Sequence, residues 1–276
     1  MIVLAARPSM GKTSLAMNIA ERVALGKDIN GSPMKGDHNR PHPVGVFSLE
    51  MSTESLAMRM LCGFAGVQGF LIDQGIGNPQ KINQQLTRAA TEIAAAPIYV
   101  DDTGALDVMD MRARARRMKK AHKIELVVID YLQLCNCREF ARQGRQIETS
   151  QISGQIKAMA KELNVPVIVL SQLSRAPEQR HDKTHKPRLS DLRDSGAIEQ
   201  DADVVLLLRR PCKAPGDPEA NANDPRLAIV DVAKHRNGPT GEVRLNFEES
   251  LTRFSDRADE HEADVGNVQV DHSPDY

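Results

Sequence analysis

The sequence contains few aromatic side chains. Tryptophan is absent, and all aromatic residues together make up 3% of the 276 positions. Proteins that grip single-stranded nucleic acid by base stacking present several aromatic rings to successive bases. The scarcity of rings therefore argues against stacking as the main grip on a nucleic-acid partner, and it favours contacts with the phosphates.

Long apolar segments are also missing. No run approaches the roughly 18 to 20 apolar residues that a membrane-spanning helix needs, and the N-terminus lacks the charged-then-apolar layout of a signal peptide. We therefore expect a soluble, cytoplasmic protein without a membrane partner.

Cysteine is scarce and poorly spaced for metal binding. The four cysteines are Cys62, Cys135, Cys137 and Cys212, and no pair has the CxxC spacing of a zinc or redox site. Cys135 and Cys137 could share a metal only with a second pair of ligands, which the sequence does not supply. We expect four reduced, unpaired thiols.

Neither sign of charge dominates the whole chain, but the last stretch is acidic. The formal net charge is −1, with seven acids and one base from position 256 onward, which leaves a net charge of about +5 on the rest. A mildly basic body is compatible with a polyanionic partner without requiring one. We expect one domain over residues 1–255 and a disordered tail over 256–276.

Short apolar runs rich in Val, Ile and Leu recur along the chain and predict buried parallel strands. They occupy positions 1–6, 44–50, 125–134, 165–173 and 203–210, and IYVDD at 98–102 adds a sixth. Between them, patterns of helical period predict helices over 13–25, 52–64, 80–95, 108–122 and 147–163.

This alternation predicts an α/β fold with a mostly parallel, twisted, doubly wound sheet and helices on both faces. From Arg226 onward the runs follow one another without a helical stretch. We therefore expect antiparallel strands at the C-terminal edge of the sheet.

The segment AARPSMGKTS, residues 5–14, predicts a phosphate-binding loop between the first strand and the first helix. In such loops a lysine reaches the β- and γ-phosphates and a hydroxyl binds Mg²⁺, which are the roles expected for Lys12 and Thr13. The predicted nucleotide-binding residues are Ser9, Met10, Gly11, Lys12, Thr13 and Ser14. The implied cofactors are ATP and Mg²⁺.

Ala6 stands where the GxxxxGK[S/T] pattern places its first glycine. Alanine serves at this position if its φ angle is negative, because only a positive φ favours glycine strongly. We therefore expect the substitution to leave the loop intact.

The other predicted strands end in polar residues at the edge where open α/β sheets bind their ligands. Asp130 follows LVVI and is expected to hold Mg²⁺ opposite Thr13. Glu50 is expected to polarise the attacking water, and Gln172 to contact the γ-phosphate or that water. The alternatives are a helix-capping or loop aspartate for Asp130, and an ordinary polar residue leaving the sheet for Gln172.

The motif series resembles that of the DnaB-type replicative DNA helicases, over roughly residues 1–254. The matching segments are AARPSMGKTS, FSLEM, IDYLQL, AKELNVPVIVLSQLSRAPEQR, DLRDSGAIEQDAD and KHRNGPTG. That family commonly carries alanine at the first position of the phosphate loop, and Lys12, Thr13, Glu50, Asp130 and Gln172 match its catalytic positions.

The resemblance implies a RecA-like motor that forms a hexameric ring, hydrolyses ATP between subunits and moves 5′ to 3′ along single-stranded DNA. It implies that Lys234 and Arg236 reach a neighbour's site as an arginine finger. The implied DNA-binding residues are Arg193, Asp194 and Gly196 in one loop, and Arg145 in a second loop after the Asp130 strand. A helicase loader is a further implied partner.

In that family an N-terminal helical domain and a linker helix precede the motor, whereas this sequence starts on the first strand. We therefore expect a weakened ring. Two other functions stay open: a recombination or repair ATPase of the RecA class, and a non-catalytic, nucleotide-gated assembly module.

Overall fold

The computed structural model describes residues 1–28, 32–34, 39–174, 186–192, 196–214, 217, 219–220 and 224–257. Within these residues, no helix combines the length and the apolar character needed to cross a bilayer. Of the disordered tail predicted over 256–276, Asp256 instead ends the last strand of the sheet, and positions from 258 onward lie outside the described residues. All four cysteines lie inside the described ranges and are reduced thiols, as expected.

Nine strands form one mixed sheet. They are β1 (Ile2–Ala6), β2 (Val44–Ser48), β3 (Ile98–Asp101), β4 (Leu126–Asp130), β5 (Val167–Gln172), β6 (Val204–Arg209), β7 (Leu227–His235), β8 (Gly241–Glu248) and β9 (Arg253–Asp256). Their spatial order is β3-β2-β4-β5-β1-β6-β7-β8-β9. The first six in this order are parallel and the last three are antiparallel, which confirms the predicted fold class.

Seven α-helices lie in the described part of the chain. They are α1 (Lys12–Leu25), α2 (Thr53–Ala65), α3 (Gly69–Asp73), α4 (Pro79–Ala95), α5 (Val108–His122), α6 (Arg145–Leu163) and α7 (Gly196–Asp201). The five predicted helices are present within two residues at each end. The short helices α3 and α7 were not predicted, because one turn of helix is too short to show a period.

Local capping fixes where several helices begin. The side chains of Ser52, Asn78 and Asp107 each accept a hydrogen bond from a backbone amide in the first turn of α2, α4 and α5. At the other end, Gly26 and Gly66 adopt left-handed conformations that close α1 and α2. These polar and glycine positions separate the helices from the strands.

The parallel strands β1, β2, β4 and β5 bury both of their faces, as their continuous apolar composition predicted. On β4, Val127 and Ile129 belong to one core with residues of α5 and α6. Leu126 and Val128 point the other way, into a second core with residues of α1 and α2. This part of the sheet is therefore a central layer between two helical layers, and the polar side chains of these four strands are restricted to their carboxyl ends.

The sequence spaces Leu15, Ile19 and Val23 by four on one face of α1, but of these three only Leu15 is buried. Ala16, Ala20 and Ala24 are fully buried against the sheet, whereas Ile19 and Val23 are only partly buried at the margin. Side chains of one carbon let the helix axis approach the strands closely, so the smallest residues occupy the centre of the contact. Apolar size was therefore a poor guide to the contact face.

The buried carboxyl of Glu21 on α1 makes stability depend on pH. Burial raises its pKa from 4.5 to about 7, although Arg22 and Arg253 oppose the change. The unfolded chain releases this proton near pH 4.5, whereas the folded chain retains it up to about pH 7. Since the unfolded state then binds fewer protons, the free energy of unfolding falls as the pH rises through this window.

We predict that Glu21→Gln removes this loss. The difference in free energy of unfolding between Glu21→Gln and the wild type should be higher at about pH 8 than at about pH 4, by roughly 2–3 kcal/mol. Urea unfolding at the two pH values measures the difference. Glu139→Gln, at an exposed position, is the control, and an equal pH response of both variants contradicts the prediction.

Candidate nucleotide-binding site

The loop between β1 and α1 has the backbone shape of a phosphate cradle. Ser9 and Gly11 adopt positive φ angles of 63° and 92°, which turn successive amides toward one point. A Cβ atom on Gly11 would lie 3.1 Å from the Phe254 ring and 3.2 Å from the Phe247 ring. Backbone conformation and lack of space therefore both favour glycine at this position.

Ala6 does not disturb this loop. It is the last residue of β1, is 1% exposed, and aligns with Gln172 on β5 and Leu208 on β6. The φ angle of Ala6 is not positive. A methyl group is therefore accommodated without strain, as expected from the sequence.

An open cavity of about 570 Å³ lies above the loop at the carboxyl ends of the strands. Its lining comes from the loop and from segments far apart in the sequence: Ala6, Arg7, Pro8, Ser9, Gly11, Lys12, Thr13, Ser14, Glu50, Arg59, Tyr131, Gln172, Phe247, Glu249 and Thr252. Met10, also predicted to bind nucleotide, instead packs its side chain into the core beside α1.

Lys12 begins α1 and lies at the floor of the cavity. Its ammonium group is 4.3 Å from the centre of the Tyr131 ring, a cation–π distance. Burial lowers the pKa of Lys12, and the carboxylates of Asp130 and Glu50 oppose that change. A phosphate in the cavity would supply the negative charge that favours the protonated ammonium.

Thr13 and Asp130 lie together beside Lys12. The Thr13 hydroxyl donates to Asp130 Oδ2 at 2.7 Å, and the other carboxylate oxygen, Oδ1, is buried without a hydrogen-bond partner. Burial raises the pKa of Asp130, while Thr13 and Lys12 act in the opposite direction. The alternative of a helix-capping or loop aspartate is wrong, because Asp130 is the last residue of strand β4 and its partner is the Thr13 side chain.

These two groups have the chemistry of a Mg²⁺ site. Mg²⁺ prefers a few oxygen ligands from protein, with phosphates and waters completing the octahedron. The hydroxyl of Thr13 and the unpartnered Oδ1 of Asp130 fit that need. In the described part of the chain no cluster of three or more His, Cys, Asp or Glu side chains offers a complete protein cage.

Glu50 lies two residues beyond the end of β2, on the same edge. Ser48 aligns with Asp130, and the amide of Leu49 donates to the Asp130 carbonyl at 2.8 Å. Glu50 is exposed and lines the cavity. Its carboxylate is therefore near the Lys12 ammonium while water still has access to it.

Gln172 ends β5, the strand between β1 and β4. It aligns with Ala6 and lines the cavity. Its backbone amide donates to Gln133 Oε1 at 3.2 Å, and Gln133 Nε2 donates to the Gln172 carbonyl at 3.3 Å. The structure thus brings Gln172 to the same cavity as Lys12 and Glu50.

Lys234 and Arg236 lie at the opposite end of the sheet. Strand β7 ends where β6 begins, since His235 aligns with Val204. Lys234 Nζ donates to the Glu199 carbonyl, and Arg236 donates to the Gln200 carbonyl and to Asp203 Oδ1. Within one chain, this basic pair therefore contacts the end of α7 and is remote from its own phosphate loop.

The predicted DNA-binding residues are only partly described. Arg193 and Asp194 lie outside the described residues, and Gly196 is the first residue of α7. Arg145 was expected in a loop, but it is the first residue of α6. Its guanidinium donates to Glu148 and to the Gln133 carbonyl, both at 2.7 Å, and 39% of its side chain remains exposed.

Several cavity residues were not identified from the sequence. Tyr131 lines the cavity, and Gln133, outside the lining, bonds to the backbone of Gln172. Both follow Asp130 in the segment IDYLQL. Arg59 on α2 and Phe247 on β8 carry no local signal, because only the tertiary fold brings them to the phosphate loop.

Comparison with protein families decides the relationship. The model of the DnaB-like helicase C terminal domain matches residues 1–256. The chain belongs to this family. It is 43% identical over 256 residues to the replicative DNA helicase DnaB of Geobacillus stearothermophilus, covering 92% of this chain and 52% of the relative. It is 41% identical over 254 residues to the replicative DNA helicase DnaC of Bacillus subtilis, with the same coverage.

Solved structures agree with this membership. One, described as an ATPase domain, superposes with a TM-score of 0.79 at 33% identity, covering 93% of this chain and 84% of that one. A DnaB-like replicative helicase, described with its interactions with primase, gives the same score and identity over 58% of its length. The RecA-like fold and the family resemblance are confirmed, and the chain spans about half the length of its curated relatives.

We predict that Gly11→Ala destabilises the fold. The new methyl group requires a positive φ and lies too close to two phenylalanine rings, so the free energy of unfolding falls by about 1–3 kcal/mol in urea. Gly154→Ala on α6, where nothing lies within 4 Å of an added Cβ, should not lose stability. Equal stability of Gly11→Ala and the wild type would refute the prediction.

Proposed function

We propose that this chain is the motor domain of an ATP-dependent replicative DNA helicase, which hydrolyses ATP between subunits and moves 5′ to 3′ on single-stranded DNA. One observation carries the proposal. Lys12, the Thr13–Asp130 pair, Glu50 and Gln172 come from separate segments yet lie around one cavity. Family membership supports the choice of a helicase over other ATPases with the same fold.

The phosphate loop supplies the binding groups for the triphosphate. The amides of residues 9–14 and the Lys12 ammonium would hold the β- and γ-phosphates. Thr13 and Asp130 would hold Mg²⁺, which neutralises charge on the phosphate oxygens when bound. Burial makes these contacts stronger than they would be in water.

Glu50 and Gln172 would act on the attacking water. Glu50 is an exposed carboxylate that lines the open cavity, so it can accept a proton or orient the water at the γ-phosphate. Gln172 ends the strand between the phosphate loop and Asp130, where its amide can bond to the γ-phosphate or to that water. Its contacts would then differ between ATP and ADP.

A neighbouring subunit would complete the site. Lys234 and Arg236 lie at the end of the sheet opposite the phosphate loop, so they can serve a nucleotide only in another copy of the chain. A guanidinium supplied in this way stabilises charge on the transferred phosphoryl group by about 10³- to 10⁵-fold in rate. We propose a homo-oligomer on this basis, and family membership supports a hexameric ring.

Single-stranded DNA would be held through its phosphates. The proposed contacts are the exposed part of Arg145, Gly196 at the start of α7, and Arg193 and Asp194, which lie outside the described residues. Such contacts do not read the base sequence, as a replicative motor requires. A helicase loader and primase are proposed protein partners.

The proposal is tested by ATP hydrolysis and strand displacement by the 276-residue chain. We expect phosphate release that is stimulated by single-stranded DNA, and displacement of a forked duplex that depends on a free 5′ arm. Glu50→Gln should lower kcat by about 10²- to 10⁴-fold, while ATP binding persists. Glu54→Gln, at an exposed position on α2, is the matched control.

The same assays separate the alternatives. Strand exchange on a homologous duplex without displacement of a fork would indicate a recombination ATPase. Phosphate release at background, with Glu50→Gln no different from the wild type, would indicate a non-catalytic module. Either result contradicts the helicase proposal.

A further inference from the structure

The side-chain amide of Gln133 bonds to the end of strand β5. Its Oε1 accepts from the Gln172 amide at 3.2 Å, and its Nε2 donates to the Gln172 carbonyl at 3.3 Å and to the Ser171 hydroxyl at 2.9 Å. Of the side chains in proteins, an amide is suited to pair with both backbone groups of one residue, because it carries a donor and an acceptor together. Gln133 therefore clamps the backbone of Gln172.

The backbone of Gln133 makes a second connection, toward α6. Its carbonyl accepts from Arg145 Nη2 at 2.7 Å. Arg145 Nη1 also donates to Glu148 Oε2 at 2.7 Å, and Glu148 Oε1 accepts from the Cys137 amide at 2.9 Å. Arg145 is thus held against the segment that follows β4, with part of its side chain exposed.

Gln133 consequently lies between two groups that the proposed function uses separately. Its side chain bonds to Gln172, the proposed γ-phosphate contact, and its carbonyl bonds to Arg145, the proposed DNA contact. A displacement of Gln172 breaks the bonds to the amide unless Gln133 moves with it. Because Arg145 is bonded to the same residue, such a movement also changes the position of the guanidinium.

We propose that Gln133 is a positioning residue that couples nucleotide state at Gln172 to DNA contact by Arg145. The inference rests on the proposed function and adds to it the residue through which one site changes the affinity of the other. The required observation is a change in coupling when the contact is removed.

The test measures the affinity of the 276-residue chain for a labelled oligothymidylate by fluorescence anisotropy, first with a non-hydrolysable ATP analogue and then with ADP. Coupling appears as the ratio of the two dissociation constants, the larger divided by the smaller. We expect a ratio of about 10 for the wild type. Gln133→Met, which keeps the length of the side chain but removes its hydrogen bonds, should reduce the ratio to below about 3.

Two variants separate positioning from a general structural effect. Asn136 lies in the same segment, but its side-chain amide donates to the Ala105 carbonyl and not to β5. The ratio for Asn136→Ala should therefore equal that of the wild type. Ser171→Ala removes one acceptor of Gln133 Nε2 and should lower the ratio less than Gln133→Met does. It also serves if Gln133→Met does not fold.

A double-mutant cycle tests the connection to Arg145. If both residues act through one contact, Gln133→Met combined with Arg145→Gln should lower the ratio no further than the more severe single variant. Multiplication of the two single effects would mean that they act independently, and it would overturn the inference.

The remaining outcomes are also decisive. A wild-type ratio above 1 that persists in Gln133→Met and in Ser171→Ala overturns the inference and leaves the proposed helicase function intact. If the wild type shows neither DNA binding nor DNA-stimulated ATP hydrolysis, the proposed function fails and the inference fails with it.

Discussion

The bond between the Thr13 hydroxyl and the Asp130 carboxylate is the contact on which the site depends. It joins the start of α1 to the end of β4, 117 positions later in the sequence. Strand β5, which ends at Gln172, lies between β1 and β4. A site made from three strand ends is thereby assembled at one edge of the sheet.

Burial makes this arrangement costly in the absence of ligand. Lys12 has a lowered pKa and Asp130 a raised one, both mainly through desolvation. Each shift means that the charged form is disfavoured relative to water. A triphosphate and a cation bring complementary charges to these groups, so binding offsets a cost that the folded chain already carries. Such perturbed groups in a cleft are typical of functional sites.

Much of the site could be predicted because its residues follow recognisable strands. Lys12, Thr13, Asp130 and Gln172 each occur at a strand end or at the helix that follows one, and parallel strands place those ends together. Gln133 could not be selected in this way, since its importance comes from hydrogen bonds to a residue 39 positions away. Arg145 was expected in a loop, but α6 begins two residues earlier than its apolar period indicates and so includes it.

The fold itself followed from the continuous apolar runs, but the detail of its packing did not. Strand faces alternate between two cores, and composition alone does not say which core receives each helix. The alanine face of α1 shows that close approach to a sheet can outweigh the burial of larger side chains. Glu21 on the same helix shows that a carboxyl can be buried there, which no residue pattern indicates.

The most direct test of the account is the Mg²⁺ dependence of nucleotide affinity. A fluorescent ADP analogue is titrated into the wild type and into Asp130→Asn, with and without Mg²⁺. If Thr13 and Asp130 hold the cation, Mg²⁺ raises the affinity of the wild type by about tenfold or more, and the variant loses that gain. An equal Mg²⁺ effect in both proteins would contradict the central claim.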